Sequence, residues 1–198
     1  PDGAEQSWLQ LEASPLPRSL RLAVLRALQA LYEGQSGDAQ RGLRVYREIL
    51  LEDPDDDETR RRLISGLKQA IVQRAAAPDG MVPDSALTPD AALRQDAVLH
   101  QREVLLRAPG DDQRRQALLD LVPLLEHSQE GVREAETLLE QAHRTWPDHG
   151  EVLTAQVDHY RRRGNANTAR VLLERAQHGA RNAVLAGRLE PGLFQTLE

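Results

Sequence analysis

The stretch that most constrains the fold is 146–177, WPDHGEVLTAQVDHYRRRGNANTARVLLERAQ, which has the pattern of two helices joined by a short turn. Apolar residues recur at helical spacing over 152–160 and again over 169–176. Gly164 and Asn165 interrupt this period and predict the turn. The alanines that begin and end the second segment allow two helix backbones to approach closely. One such hairpin cannot bury its apolar face alone, so the pattern predicts similar hairpins stacked beside it.

Weaker helical patterns fill most of the chain before this hairpin. Leu20 and Ala92 are among the residues that their spacing predicts to face the core. Pro123 lies within 111–128 and removes a backbone hydrogen bond, which predicts a kink at 119–121. The predicted helices upstream of the hairpin are 19–35, a helix that follows Gly37 and ends before Pro54, 58–76, 89–107, 111–128 and 131–145.

Three segments flank or interrupt these helices. Residues 1–17 are predicted to form an arm that caps the first hairpin, or alternatively the tail of a preceding repeat. Residues 77–88 contain two prolines and a glycine, which predict an insertion loop that is either functional or a tolerated surface insertion. Residues 179–198 are predicted to be a C-terminal capping helix, since the end of such an array needs a cap. The predicted repeat domain is 18–178.

The charge pattern of the chain argues against nucleic acid as a partner. The net charge is −6 at pH 7, and arginines are interleaved with acidic residues, so no long basic face forms. No apolar run approaches the ~20 residues that span a bilayer, which predicts no direct membrane insertion. The lack of cysteine excludes disulfides, thiolate catalysis and cysteine-ligated zinc. Because the chain begins with Pro1, we expect a piece of a longer protein, with any signal peptide outside it.

No residue pattern in the chain indicates catalysis, a cofactor or a metal. His143, His149 and His159 fall on different predicted helices or turns and lack the spacing of a helical zinc site. The acidic run 53–58 lacks the central glycine and closing glutamate of a calcium loop, and is predicted to be a turn and an acidic helix start. Glycine-rich phosphate loops and nucleophile elbows do not occur. We therefore expect a protein that is not an enzyme, with no cofactor and no metal.

Four helix pairs carry large, small and aromatic residues at similar places. The matching residues are Leu25, Leu28, Tyr32, Gly37, Gly42, Tyr46, Ile49 and Pro54 in the first pair; Leu63, Leu67, Ala97, Val104 and Pro109 in the second; Leu118, Val122, Ala135, Leu139, Ala142 and Pro147 in the third; and Leu153, Tyr160, Gly164, Ala169, Leu173 and Ala176 in the last. This pattern resembles the tetratricopeptide repeat (TPR) family in a degenerate, bacterial form, whose units span about 34 residues. Gln156 stands where the family usually has Leu, and the insertion at 77–88 makes the second pair the poorest match.

The resemblance implies an all-α fold, namely an α-solenoid of about four antiparallel helix hairpins with capping helices. A plain helical bundle or another α-solenoid is the competing architecture. In the family, the first helices of the repeats line a concave groove that holds a partner segment. Carried over by position, the partner-binding groove residues would be Arg26, Glu33, Glu58, Arg61, Ser65, Lys68, Gln113, Gln116, Asp120, Glu151, Thr154, Asp158, Arg161 and Arg162.

The implied function is a protein–protein interaction scaffold that binds a peptide segment or a neighbouring domain. The groove lacks the Lys and Asn cluster with which chaperone cofactors of the family hold a C-terminal carboxylate. The basic run 161–163 would be its contact for an anion or carboxylate, or else a solvated helix end. A frequent setting for such chains is the periplasmic part of a bacterial envelope export or assembly system. The alternatives are a cytoplasmic adaptor or chaperone and a polysaccharide-binding module, against which the aromatic content of 3% counts.

Overall fold

Helices account for nearly all of the chain that the computed structural model describes, which comprises residues 7, 10–11, 16–34, 39–75 and 89–185. No residue in these ranges lies in a strand, so the predicted all-α class is confirmed. Within the same ranges, no helix is long and apolar enough to cross a membrane. The helices are α1 (Arg18–Gly34), α2 (Ala39–Glu52), α3 (Asp57–Ala75), α4 (Pro89–Arg107), α5 (Asp111–Leu125), α6 (Gln129–Thr145), α7 (Gly150–Arg162) and α8 (Ala166–Leu185).

The chain divides into two compact units, Pro1–Ala108 with α1 to α4 and Pro109–Glu198 with α5 to α8. The predicted repeat domain over 18–178 includes helices from both units and stays a prediction. The predicted loop at 77–88 and most of the predicted arm at 1–17 lie outside the described residues.

In the first unit, each helix packs against the next one in the chain. The core between α1 and α2 contains Leu25, Leu28 and Ile49, all of them fully buried. The start of α1 lies beside the end of α2, because Arg21 forms ion pairs with Glu48 at 3.5 Å and with Glu52 at 3.3 Å. The two helices are therefore antiparallel.

Two residues predicted to face the core lie on the solvent side instead. Leu20 is 54% exposed, because the buried stripe of α1 is centred near Leu25 and Leu28, about a quarter of a turn away. Ala92 is exposed because α4 buries a stripe that includes Ala97 and Gln101, which points Ala92 toward solvent. The other residues of the two predicted faces are buried or half-buried, including Val24 and Leu28 in α1 and Ala97 in α4.

In the second unit, α6 packs against α5 and α7, and α7 packs against α8. The predicted hairpin at 146–177 is confirmed as α7, a turn at Gly164 and the first part of α8. Gly164 has a φ of 72°, a left-handed conformation that glycine adopts without steric cost. The small Ala169 is buried in the core against Val157 and Tyr160, as the sequence pattern indicated.

The helix boundaries around Pro123 differ from those predicted. The helix α5 continues through Pro123 and ends at Leu125 rather than at 128. Ser128 lies outside the helix and caps α6, since its Oγ accepts a hydrogen bond from the Gly131 N–H at 3.0 Å. At the C-terminal end, α8 runs unbroken to Leu185, so the predicted start of a capping helix at 179 falls inside it. Residues 186–198 lie outside the described part.

Candidate functional site

Side-chain bridges join α1 to α3 in the first unit. Arg26 of α1 donates a hydrogen bond to Asp56 at 3.1 Å, just before α3 begins. Glu33, near the end of α1, forms an ion pair with Arg62, one turn into α3. Because residues later in α1 pair with residues later in α3, the two helices run in the same direction. The antiparallel α2 lies between them in the chain and packs against both.

The second unit contains the same arrangement between α5 and α7. Arg115, near the start of α5, lies 3.8 Å from the carboxylate of Glu151 at the start of α7. At the other end, Arg162 of α7 donates two hydrogen bonds to Glu126, at 2.8 and 2.9 Å. The two helices are therefore parallel, and the first helices of successive hairpins are bridged by ion pairs in each unit.

A cleft of about 370 Å³ opens in the first unit between the first half of α2 and the side of α3; we call it the α2–α3 cleft. Its lining includes Glu33, Tyr46, Arg62, Ser65 and Gln69. The Tyr46 hydroxyl donates a hydrogen bond to Glu33 at 3.0 Å. Hydrogen bonds from Gln29 and Arg62 lower the pKa of Glu33, whereas burial and the Glu33 carboxylate raise the pKa of Tyr46 to about 12. At neutral pH the cleft thus contains a carboxylate, a guanidinium and a neutral phenol.

A cleft of about 460 Å³ occupies the corresponding place in the second unit, between the first half of α6 and the end of α7; we call it the α6–α7 cleft. Its charged lining consists of Arg133, Glu136 and Arg163, together with His159 and the Tyr160 ring. The Tyr160 hydroxyl donates a hydrogen bond to Glu136 at 2.9 Å. Burial, followed by this bond, raises the pKa of Tyr160 to about 12.

One wall of the α6–α7 cleft is held in place by a three-residue cluster, Glu126–His159–Arg162. His159 is 1% exposed, and its Nδ1 lies 2.7 Å from the Glu126 carboxylate. Arg162 binds the same carboxylate from the solvent side. Burial alone would raise the pKa of Glu126, but the hydrogen bonds from Arg162 and His159 outweigh it and lower the pKa below its ordinary value.

The groove residues predicted from the sequence are divided between the two units. In the first unit, Glu33 and Ser65 line the α2–α3 cleft, and Glu58 forms an ion pair with Arg62. Arg26 is bonded to Asp56, Arg61 is exposed and Lys68 is half-buried. In the second unit, none of the predicted residues is among those lining the α6–α7 cleft. There, Gln113, Gln116, Glu151, Thr154, Arg161 and Arg162 are exposed, and Asp120 and Asp158 are half-buried.

Sequence reasoning did not single out Arg133, and it named Arg163 only as part of the basic run 161–163. The run 161–163 was taken as a unit, but Arg162 is bound to Glu126, whereas Arg163 lines the cleft. The signal that could have separated them is the spacing of 36 residues between Glu126 and Arg162, which is close to one repeat. Arg133 lies on a second helix, and the predicted groove was restricted to first helices.

Within the described ranges, no group of three or more His, Asp or Glu side chains is arranged to hold a metal ion. In comparisons with known proteins, no family model matches the chain, and no curated protein matches it at a significant level.

Proposed function

We propose that this chain is a protein–protein interaction scaffold made of TPR-like helix hairpins, in an α-solenoid of about four hairpins that holds a partner segment in a groove. Bridges between successive first helices support it. Glu33 and Arg62 are 29 residues apart, and Glu126 and Arg162 are 36 apart. These two separations lie on either side of the TPR period of about 34 residues.

The observation that carries the proposal is the recurrence of a cleft at the same place in both units. Each cleft lies between the first half of one second helix and the first helix that follows it. In the α2–α3 cleft, Ser65, Gln69 and Gln73 follow one another along α3 at intervals of one turn. Their hydroxyl and amide groups both donate and accept hydrogen bonds, as the exposed backbone of an extended peptide requires.

We place this scaffold in the periplasmic part of a bacterial envelope export or assembly system. The motivation is the degenerate bacterial TPR pattern, for which such systems are a frequent setting. A cytoplasmic adaptor or chaperone is the alternative setting. A polysaccharide-binding module is the rival function, and the few aromatic side chains disfavour it because sugar rings bind on aromatic platforms.

Site-specific photo-crosslinking in the source cells tests the proposed function. A photoreactive amino acid replaces Ser65, which lines the α2–α3 cleft, and in a matched variant it replaces Leu106, which is 76% exposed on α4 of the same unit and is not among the lining residues. Cross-linked peptides are then identified by mass spectrometry. We expect one defined protein segment from position 65 and none from position 106.

Three results would contradict that expectation. Equal cross-linking from both positions would indicate chance collisions rather than a groove. A glycan attached to position 65 would favour the polysaccharide-binding module. No adduct at all from position 65 would remove the α2–α3 cleft from the binding surface.

A further inference from the structure

Two arginines in the α6–α7 cleft have no partner among the described residues. Arg133 comes from α6 and Arg163 from the residue that follows α7, and both are exposed and line the same cavity. Neither guanidinium forms a hydrogen bond or an ion pair within the described part of the chain. Other arginines of the second unit differ in this respect: Arg162, Arg144 and Arg170 each form an ion pair with a glutamate.

The acidic groups around this cleft are already engaged. Glu126 accepts hydrogen bonds from Arg162 and is in contact with His159. Glu136, the one carboxylate among the residues lining the described cleft, accepts a hydrogen bond from Tyr160. The two guanidinium groups exceed the single lining carboxylate, so the cleft is positive in a chain whose net charge is −6. A positive cleft on an acidic protein attracts negatively charged groups locally.

We infer that the α6–α7 cleft binds an acidic peptide segment, whose side-chain carboxylates pair with Arg133 and Arg163. A carboxylate only accepts hydrogen bonds, and a guanidinium only donates them, in a fork that matches the two carboxylate oxygens. A volume of about 460 Å³ is enough for a few side chains of a bound segment. This inference rests on the proposed function and assigns the chemistry of the partner in the second unit.

Two amide side chains complete the set of donors in the cleft. Gln129 lines it at the start of α6, where the helix dipole also favours negative charge. The Asn165 Oδ1 accepts two hydrogen bonds from Thr168, one from its backbone N–H at 3.3 Å and one from its hydroxyl at 2.9 Å. This orients the Asn165 carbonyl inward to its own helix and leaves the NH₂ group as a donor.

The charge pattern favours a short acidic peptide over a nucleic acid. A polyphosphate backbone places a charge at every nucleotide and needs an extended basic face, whereas Arg133 and Arg163 line a single cleft of about 460 Å³. A segment with two spaced carboxylates neutralises Arg133 and Arg163 and leaves the acidic remainder of the surface in water. The chemistry of the cleft thus matches glutamate or aspartate side chains in a flexible segment.

Fluorescence anisotropy on the full chain tests this inference. The probe is a labelled peptide of alternating Gly and Glu, and the reference is the same peptide with Gln in place of Glu. We expect the Glu peptide to bind and the Gln peptide not to bind. Arg133→Gln and Arg163→Gln should each weaken binding roughly tenfold, since each removes a charge-assisted pair.

Arg175→Gln is the matched control, because Arg175 is an exposed arginine on α8 of the same unit and is not among the residues lining the cleft. It should leave the affinity within twofold, roughly the effect of one screened surface charge. Circular dichroism melting curves of all three variants should coincide with that of the wild type.

Several outcomes would overturn the inference. These are equal binding of the Gln peptide, an equal loss of affinity in Arg175→Gln, and unchanged affinity in the Arg133→Gln, Arg163→Gln double variant. Displacement of the peptide by inorganic phosphate at a concentration far below the peptide's own dissociation constant would assign the cleft to phosphate instead. If the anisotropy test fails while position 65 still cross-links a protein segment, the scaffold function stands and only the acidic specificity is lost.

Discussion

His159 Nδ1 lies 2.7 Å from Glu126 Oε1, which joins the end of α7 to the residue that follows α5. Arg162 donates to both oxygens of the same carboxylate. A carboxylate can only accept, so the proton of this short contact belongs to His159. The cluster fixes two parallel helices at the ends that border the α6–α7 cleft.

Glu126→Gln should make the second unit less stable and less sensitive to acid. The folded-state pKa of Glu126 is below its ordinary value of 4.5, so the cluster stabilises the fold at pH values above 4.5. This stabilisation is lost as the pH falls through the folded-state pKa, where the carboxylate is protonated. Because Arg162 is half exposed, solvent weakens its ion pair with Glu126. We therefore expect Glu126→Gln to lower the free energy of unfolding by about 1–2 kcal/mol at neutral pH.

Urea unfolding, followed by circular dichroism at neutral pH and at pH values below 4.5, measures this effect. Asp148→Asn is the control, since Asp148 is exposed in the turn before α7. The difference in the free energy of unfolding between the wild type and Glu126→Gln should become smaller in acid. A difference that is the same at every pH would show that the charge of Glu126 does not contribute.

Gly131→Ala should destabilise the second unit because α6 begins very close to the end of α5. A Cβ at Gly131 would clash with the backbone carbonyl oxygen of Leu125 and would also lie 3.0 Å from Ser128 Oγ. Because the backbone cannot move aside as a flexible side chain can, we expect Gly131→Ala to lower the free energy of unfolding by about 2 kcal/mol. Gly150→Ala is the matched control, because a Cβ there meets nothing within 4 Å.

Thermal melting of the two alanine variants gives a direct comparison. Gly150→Ala should be neutral or slightly stabilising, by up to about 1 kcal/mol, because alanine has the higher helix propensity. Equal melting temperatures for Gly131→Ala and Gly150→Ala would contradict the close approach of α5 and α6.

The sequence was sufficient to predict the helices and the hairpin at 146–177. Helical periodicity depends only on which residues are apolar, and Gly164 marks a turn that needs a left-handed conformation. The helix predicted at 58–76 is Asp57–Ala75 in the structure. The errors at Leu20 and Ala92 arose because a broad apolar pattern does not specify the centre of the buried stripe.

The charged contacts were much less predictable, because they depend on which helix faces which. Arg162 was assigned to the groove from its position, yet it holds Glu126. Arg60 is 4% exposed and donates to the Pro54 carbonyl, although nothing in an acidic turn indicates a buried arginine. The lining of the α6–α7 cleft combines residues from two helices, and only the packing brings Arg133 and Arg163 together.

Gln156→Leu should stabilise the second unit. Gln156 is 5% exposed, and its Oε1 has no hydrogen-bond partner among the described residues. It stands where the TPR pattern usually has Leu. Removing a buried carbonyl without a partner and adding apolar volume should raise the free energy of unfolding by about 1 kcal/mol.

Urea denaturation compares Gln156→Leu with Gln113→Leu, which places the same change on an exposed residue of α5. The control should remain within about 0.5 kcal/mol of the wild type. A loss of stability in Gln156→Leu would mean that the amide is satisfied in solution, for example by an internal water.

Tyr160 separates the contribution of a hydrogen bond from that of packing. Its ring is 9% exposed and packs with Val157 and Ala169, while its hydroxyl donates to Glu136 at 2.9 Å. Tyr160→Phe keeps the ring and loses only the hydrogen bond, so we expect a loss of about 1 kcal/mol. Tyr160→Asp removes the ring and places a carboxylate beside Glu136 in an apolar contact, so the loss should exceed about 3 kcal/mol.

Denaturant titrations of both Tyr160 variants, followed by far-ultraviolet circular dichroism, measure these losses. At neutral pH, the free energy of unfolding should decrease in the order wild type, Tyr160→Phe, Tyr160→Asp. The pKa of Tyr160 is raised to about 12, so its hydroxyl is protonated at neutral pH and able to donate the hydrogen bond. If Tyr160→Phe were as unstable as Tyr160→Asp, the hydrogen bond to Glu136 would contribute more to stability than the packing of the ring. If Tyr160→Asp unfolded like the wild type, the ring would not be packed between α7 and α8, and the hairpin at 146–177 would need another core.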